Sequence, residues 1–131
     1  QEEFDRLRSL SYADTHVVMM CYAVDNRDSL DNIPNRWLEE IVDHCPDAKL
    51  ILVALKCDLR DDDEKLKKMK SSPIMYEEGL AVARSINAVR YLECSAKHNR
   101  GIREVFEQAG RVALSTHLKT DKDRSSSCII L

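Results

Sequence analysis

Two short apolar runs constrain the fold of this chain most strongly. Val17–Ala23 and residues 50–55 read VVMMCYA and LILVAL, without the polar alternation of a half-exposed strand. Such runs are typical of strands that are buried on both faces of a parallel sheet. A shorter third run occupies residues 91–94. Because helical patterns separate the runs, the sequence predicts an α/β fold, a doubly wound parallel sheet with helices on both faces.

The helical patterns have recognisable apolar faces. The first pattern brings Ile33, Trp37 and Ile41 to one face, after a separate short turn at residues 29–33. Pro34 suits the first turn of that helix, where its missing N–H is not needed. Two further helices are predicted over about residues 76–86 and 102–118. Their inward positions are Leu80, Ala83 and Ile86 in the former, and Val105, Phe106, Ala109, Val112 and Ala113 in the latter.

A charged segment interrupts this pattern after the second apolar run. Residues 61–70 read DDDEKLKKMK, with the acids before the lysines, which complements the dipole of a helix at both ends. The spacing also allows favourable i,i+4 pairs between Asp63 and Lys67 and between Glu64 and Lys68. We therefore expect a projecting insert helix at about residues 61–72. It is either a solvated surface helix or an element that binds a partner.

Composition excludes several classes of protein. The 131 residues suit one domain, and 44% apolar with 33% charged residues is a globular balance. A net charge of −3 argues against a nucleic-acid binder, which usually carries a basic surface. The five cysteines are scattered without a CxxC pair, which favours reduced intracellular thiols over a disulfide scaffold or a zinc site.

Other candidate site residues have plainer interpretations. The four histidines show no ligand or triad spacing, so we interpret them as surface or loop residues and predict no metal site. Cys21 and Cys94 are expected to be small buried core residues rather than nucleophiles. Trp37 is expected to be a packing anchor.

Polar residues follow the second and third apolar runs, at the edge of a parallel sheet where ligands usually bind. After residues 50–55, Asp58 provides a carboxylate that could accept hydrogen bonds from the N1–H and exocyclic amine of guanine, and the aliphatic stem of Lys56 could cover a flat ring. Alone, this pattern also fits an ordinary charged turn. After the third run, the loop of Ser95, Ala96 and Lys97 offers backbone N–H groups to the base carbonyl that adenine lacks. Together, the two loops predict a guanine site.

These motifs resemble those of a known family. LVALKCDLR at residues 52–60 and ECSAK at 93–97 are similar to the two guanine-specificity motifs of the Ras superfamily. QEEFDRLRSLSY at residues 1–12 resembles the second switch of those proteins, and the charged insert is typical of the Rho branch. The form ALKCDLR resembles fungal Rho proteins. The resemblance covers the whole chain and implies the small G-domain of the P-loop NTPase fold.

The resemblance also implies roles for individual residues. Gln1 stands where the family has the glutamine that orients the attacking water during GTP hydrolysis. In the family, Leu55 is usually Asn or Thr, whose side chain ties this loop to the phosphate loop. Loss of that hydrogen bond, about 1 kcal/mol net, implies weaker or faster-exchanging nucleotide binding. The guanine contacts would come from Lys56, Asp58, Ser95, Ala96 and Lys97, and the partner-binding switch residues would be Phe4, Asp5, Arg6 and Leu7.

Other family motifs do not occur in this sequence. It has no GxxxxGK[ST] motif, switch threonine or DxxG aspartate. The resemblance therefore suggests an N-terminally truncated G-domain that lacks the first strands and the phosphate-binding loop. GTP and GDP are the expected ligands, whereas Mg²⁺ is expected only with the missing segment. Because phosphoryl transfer depends on positioning and charge stabilisation, this chain alone is not expected to hydrolyse GTP, unlike its intact parent.

The C-terminus carries a lipidation signal. We divide the chain into a partial G-domain at residues 1–118 and a flexible tail at 119–131, which ends in Cys-Ile-Ile-Leu. This is a C-a-a-X motif whose final Leu favours geranylgeranylation of Cys128. The tail has three basic and two acidic residues, too few charges for a polybasic second signal, so reversible attachment is expected. The expected location is the cytoplasmic face of the plasma membrane, with a cytosolic pool.

Two functions therefore remain open. The first is a GTP-hydrolysing switch that, by the resemblance, acts with exchange factors, GTPase-activating proteins, effectors and a prenyl-shielding carrier in signalling to actin and cell polarity. The second is a prenylated interaction module without catalytic activity.

Overall fold

A three-stranded parallel sheet forms the centre of the molecule. The structure, a computed structural model, describes residues 4–69 and 71–126, with the backbone alone from residue 117 onward. The strands are β1 (Val17–Ala23), β2 (Lys49–Leu55) and β3 (Arg90–Glu93), in the spatial order β1-β2-β3. The full length of β1 pairs in register with β2, and β3 pairs with residues 51–54. The predicted α/β fold with a parallel sheet is confirmed.

Helices cover both faces of the sheet. The helical elements are α1 (Asp5–Ser9), α2 (Arg27–Asn32), α3 (Leu38–His44), α4 (Asp63–Leu66), α5 (Tyr76–Ser85) and α6 (Ile102–Ser126). On one face, β2 packs Ile51 and Val53 against Val105 and Val112 of α6. The opposite face of β2 packs against α2, α3 and α5 through a larger core. Alternate residues of β2 thus enter two cores, which explains why its sequence is apolar throughout.

The region around Pro34 differs from the prediction. Helix α2 begins after Asn26, whose side chain accepts a hydrogen bond from the Ser29 N–H at 3.0 Å. Helical backbone then continues through Pro34 into α3, by way of a π-helical turn at Ile33–Trp37. The wider turn places the Leu38 N–H on the Ile33 carbonyl, so the missing N–H of proline is accommodated inside the helical stretch. Pro34 is therefore not at a helix start.

The charged insert also forms less helix than predicted. Helix α4 has four residues, and its N-terminus is capped by the Asp62 side chain, which accepts from the Lys65 N–H at 3.2 Å. Among the described side chains, the ion pair in this segment joins Lys65 to Asp62 at 3.6 Å, rather than the expected i,i+4 partners. Exposed charge pairs contribute little, and few apolar residues are available to bury, so a longer helix gains no packing energy here.

Helix α6 departs from the prediction at two points. Phe106, expected in the core, has 64% of its surface exposed, whereas Val105 and Val112 are buried. The helical backbone also runs to Ser126, beyond the predicted end at residue 118. Residues 111–126 contain no Gly or Pro that would stop it. None of the described helices combines the length and the apolar sequence that a membrane span requires.

Gly79 provides a first testable prediction about packing. A Cβ atom at Gly79 would lie 2.2 Å from the hydroxyl oxygens of both Tyr22 and Tyr91. Gly79→Ala should therefore lower the free energy of unfolding by about 1–3 kcal/mol, as overpacking of a core does. In chemical denaturation, Gly110→Ala is the control, because a Cβ there meets nothing within 4 Å. Helix propensity should make that variant more stable, by up to about 1 kcal/mol. Equal gains in both variants would contradict the prediction.

Candidate functional site

A cavity of about 510 Å³ lies at the carboxyl ends of the strands. The loops that follow all three strands contribute to its wall, as expected for ligand sites of open parallel sheets. Its lining residues are Asp25, Leu55, Lys56, Asp58, Leu59, Lys65, Cys94, Ala96, Lys97 and Ile102. Four of the five residues expected to contact guanine are thus brought together around one space. The fifth, Ser95, is fully buried and contacts Asp58 from behind.

The loop after β2 is held in a tight conformation. Lys56 adopts left-handed backbone angles, with φ of 59°, and a 3-10 turn at Cys57–Asp61 follows directly. The Leu59 N–H donates to the Lys56 carbonyl at 3.0 Å, which closes the turn. The Cys57 N–H donates to the Cys94 carbonyl at 3.1 Å. This last bond ties the two loops that the sequence predicted to act together.

Asp58 is a buried and ionised carboxylate at the floor of the site. Its side chain is 8% exposed, and the Ser95 hydroxyl donates to its Oδ1 at 2.6 Å. The imidazole Nε2 of His98 lies 4.0 Å from the other oxygen, Oδ2. The hydrogen bond from Ser95 lowers the pKa of Asp58 below its ordinary value, although burial opposes this shift. A charged acceptor is what recognition of the guanine donors requires.

The second loop is shaped by its own backbone. Ser95 and Arg100 exchange two backbone hydrogen bonds, at 2.9 and 3.0 Å, and the Asn99 N–H donates to the Ala96 carbonyl at 3.2 Å. Gly101 has φ of 72°, and a Cβ there would lie 2.5 Å from the Glu93 carbonyl oxygen. Within the described part of the chain, these bonds leave the Ala96 N–H without an acceptor. Ala96 itself lines the cavity.

A hydrogen-bonded network between the two loop motifs was not predicted from the sequence. The Arg60 guanidinium donates to both oxygens of Glu93, each at 2.7 Å, and its Nε donates to the Ile74 carbonyl at 2.8 Å. The Tyr91 hydroxyl also donates to Glu93 at 2.7 Å, and it lies 2.8 Å from the Tyr22 hydroxyl. Because Arg60 ends one predicted guanine motif and Glu93 begins the other, the network joins the two motifs through side chains that do not line the cavity.

The expected switch residues lie on or next to α1, which contacts α3. Phe4 and Leu7 are 60% and 63% exposed. Arg6 is also exposed, and Asp5 forms an ion pair with Arg8 at 2.8 Å. The Arg8 side chain in turn donates to both oxygens of Glu40 at 2.6 and 2.7 Å. The ion pair between Arg8 and Glu40 thus attaches this segment to α3, while the apolar side chains of Phe4 and Leu7 remain exposed. The role of the segment in partner binding stays a prediction.

Two expected functional residues, Gln1 and Cys128, lie outside the described residues. The prediction of a buried Cys94 is confirmed, whereas the prediction for Cys21 is wrong, because that residue is exposed. Trp37 is partly buried against the larger core, as expected of a packing anchor.

Ser95→Ala provides a second prediction. Loss of the hydroxyl donor should raise the pKa of Asp58 towards its ordinary value, observable by NMR titration of its carboxyl carbon. A carboxylate with a lowered pKa stabilises the fold above the unfolded pKa, and this contribution is lost as pH falls through the folded pKa. The variant should therefore be less stable near pH 7 by about 1–3 kcal/mol, with a smaller difference in acid. Ser85→Ala, which removes a hydroxyl bonded to a helix carbonyl, is the control. A pH-independent deficit would contradict the assignment.

Comparison with known proteins identifies the family of this chain. The model of the Ras family matches residues 1–115, so the chain belongs to the Ras family. Its similarity to curated proteins identifies it further as a fungal Rho-type member. It is 58% identical to GTP-binding protein rho3 of Schizosaccharomyces pombe over 135 residues, which cover 99% of this chain and 65% of that protein.

Two further relatives show the same extent of similarity. Identity is 51% to GTP-binding protein RHO3 of Eremothecium gossypii and 46% to GTP-binding protein RHO3 of Saccharomyces cerevisiae. Each alignment covers all of this chain and 68% of the relative. The chain thus spans about two thirds of the length of the curated relatives it matches.

Proposed function

We propose that this chain provides the base-recognition site of a Rho-type GTP-binding molecular switch. The observation that supports this most directly is the convergence of Asp58 and Ala96 on one cavity, with Ser95 and the Cys57–Cys94 hydrogen bond holding the two loops together. A guanine base would donate its N1–H and amine to Asp58 and accept at its carbonyl from the Ala96 N–H. Adenine has an amine at the position of that carbonyl and no N1–H.

The relatives support the choice of nucleotide. Each of the relatives named above is called a GTP-binding protein. GTP and GDP are therefore the proposed ligands, with Lys56 covering the ring and Lys97 completing the second loop. The sequence contains none of the family motifs that serve Mg²⁺, and no group of three potential metal ligands occurs among the described residues. No step of this proposal is therefore assigned to a metal ion.

The proposal is tested by comparing purine diphosphates. In ¹H–¹⁵N NMR titrations, GDP should shift the amide signals of Ala96 and Asp58, whereas ADP should leave them unchanged at the same concentration. IDP, which keeps the carbonyl and N1–H but lacks the exocyclic amine, should bind with intermediate affinity. Equal shifts with GDP and ADP, or shifts confined to residues away from the cavity, would overturn the assignment.

A second candidate function is a prenylated interaction module without catalysis. The exposed apolar side chains of Phe4 and Leu7 support it, because such residues on a surface helix are suited to protein contacts. Phosphate release from GTP and guanine-nucleotide binding together separate the candidates, and the absence of both would fit the module. Release above background by the 131-residue chain would contradict the module. Absence of phosphate release together with GDP-specific binding would fit the first candidate, a base-recognition site that requires the other family motifs for hydrolysis.

We also propose that Cys128 is geranylgeranylated and brings the protein to the cytoplasmic face of the plasma membrane. The C-a-a-X sequence with a final Leu supports this, and the weak charge of the tail favours exchange with a cytosolic pool. Exchange factors, GTPase-activating proteins, effectors and a prenyl-shielding carrier are the proposed partners, in signalling to actin and polarity. Cys128→Ser should move a fluorescent fusion to the cytosol, and Ser127→Ala should leave it at the membrane. A membrane-bound Cys128→Ser protein would contradict lipid anchoring at this position.

A further inference from the structure

We infer that Asp25 is a positioning residue for the base site, acting through Lys56. The inference rests on the proposed function, because it assigns to Asp25 the task of directing the lysine stem along one wall of the guanine cavity. Asp25 lies outside both sequence motifs and was not predicted from the sequence. Asp25 follows β1, whereas the two predicted loops follow β2 and β3.

The backbone places Asp25 beside Lys56. The Val24 N–H donates to the Leu55 carbonyl at 3.1 Å, which extends the pairing of β1 and β2 by one step beyond the strand ends. The Asn26 N–H donates to the Ala23 carbonyl at 3.0 Å and closes a turn around Asp25. The positions of both Asp25 and Lys56 are therefore set by main-chain bonds of the sheet edge.

The side chains of Asp25 and Lys56 form an ion pair at the wall of the cavity. The Lys56 Nζ lies 3.3 Å from Oδ2 and 3.4 Å from Oδ1 of Asp25, and both residues line the cavity. The side chains of Lys56 and Asp25 are 57% and 29% exposed. Exposed ion pairs of this kind contribute little to folding stability. This contact is therefore better explained by what it does to the lysine than by what it does for the fold.

The lysine needs such a restraint if its stem is to pack on a base. A lysine side chain has four rotatable bonds, and an unrestrained stem would sample many rotamers over the cavity. The left-handed backbone of Lys56 sets the direction in which the side chain leaves the loop. Asp25 fixes the other end at the ammonium group. With both ends held, the methylene groups form a preorganised apolar wall for a flat ring.

The experiment compares Asp25→Asn with Asp47→Asn in the full chain. Asp47 is an exposed acid before β2, at the other end of the sheet, so its variant makes the same change in net charge. In NMR titrations, the Kd for GDP should rise about threefold to tenfold in Asp25→Asn and stay unchanged in Asp47→Asn. Both variants should keep the wild-type denaturation midpoint. A lowered midpoint in Asp25→Asn alone would overturn the positioning role in favour of a structural one.

Two further arms make the mechanism specific. In a Lys56→Met background, which keeps an unbranched stem without the ammonium, Asp25→Asn should have no additional effect on the Kd. In the nucleotide-free chain, Asp25→Asn should increase acylation of Lys56 by an amine-reactive ester, measured by mass spectrometry. Additive effects of the two substitutions, or unchanged acylation, would overturn the inference. If wild-type protein binds GDP and ADP equally, the proposed function fails and the inference with it. If Asp25→Asn keeps both the preference for GDP over ADP and the wild-type Kd for GDP, the inference is overturned, but the proposed function is not.

Discussion

Replacing Glu93 with Ala is expected to lower the free energy of unfolding by about 3 kcal/mol, because it removes one partner of a largely buried ion pair. The side chains of Arg60 and Glu93 are 13% and 19% exposed. The substitution leaves the guanidinium without its carboxylate and removes one of the two hydrogen-bond partners of the Tyr91 hydroxyl. Urea denaturation measures the loss. Since the network joins the two guanine motifs, GDP binding should weaken in the same variant.

The control uses an ion pair of equal length and different burial. Arg103 and Glu107 also lie 2.7 Å apart, but their side chains are 92% and 49% exposed. Glu107→Ala should cost only about 0.3–0.5 kcal/mol, as exposed i,i+4 pairs do. The double variant Arg60→Met, Glu93→Leu should recover part of the lost stability, since no unpaired charge remains buried. Equal losses for Glu93→Ala and Glu107→Ala would show that burial of the pair has no energetic role.

The contribution of Glu93 should also depend on pH. Burial opposes ionisation of Glu93, but the hydrogen bonds from Arg60 and Tyr91 outweigh it and lower its pKa below the ordinary value. A lowered folded pKa stabilises the protein above the unfolded pKa, and this stabilisation disappears as pH falls through the folded value. The difference between wild type and Glu93→Ala should therefore be largest near neutral pH and shrink in acid.

Asp58→Ala is expected to have the largest effect on ligand binding. The carboxylate is the proposed acceptor for two guanine donors, and hydrogen bonds to a charged group are worth about 1.5–3 kcal/mol each. Loss of both should raise the Kd for GDP by about 10²-fold to 10⁴-fold, since each 1.4 kcal/mol is a factor of ten. The preference for GDP over ADP should fall with it, to what the contact of the Ala96 N–H with the base carbonyl provides. Isothermal titration and NMR titration both measure this change.

Asp61→Ala is the matched control for Asp58→Ala. Asp61 ends the same 3-10 turn, but it is exposed and does not line the 510 Å³ cavity. Its variant should keep the wild-type Kd and the preference for guanine. An Asp58→Ala protein that is folded by circular dichroism and keeps the full wild-type preference for GDP would contradict the proposed recognition. An effect of Asp61→Ala as large as that of Asp58→Ala would point to net charge rather than to a directed contact.

The strands and the two base loops could be predicted from the sequence because each depends on local chemistry. Burial on both faces requires an uninterrupted apolar run, so β1 has the predicted bounds and β2 begins one residue before the predicted start. The loops of Asp58 and Ala96 follow neighbouring strand ends, and parallel pairing alone brings such ends to one edge. Helical segments were less predictable. Pro34 resembles a helix start in sequence, whereas the structure places it within a π-helical turn that begins at the buried Ile33.

The apolar runs of the chain thus determined the fold class, and its two loop motifs predicted the residues that line the proposed guanine site. The tertiary structure alone decided which distant charges became partners. Lys56 and Asp25 are 31 residues apart in the chain, and Arg60 and Glu93 are 33 residues apart. No spacing rule links residues at such separations, because their contact depends on strand order and register. The ion pairs near the carboxyl ends of the strands therefore form only when the sheet is assembled. The apolar runs that form the sheet, in contrast, can be recognised in the sequence.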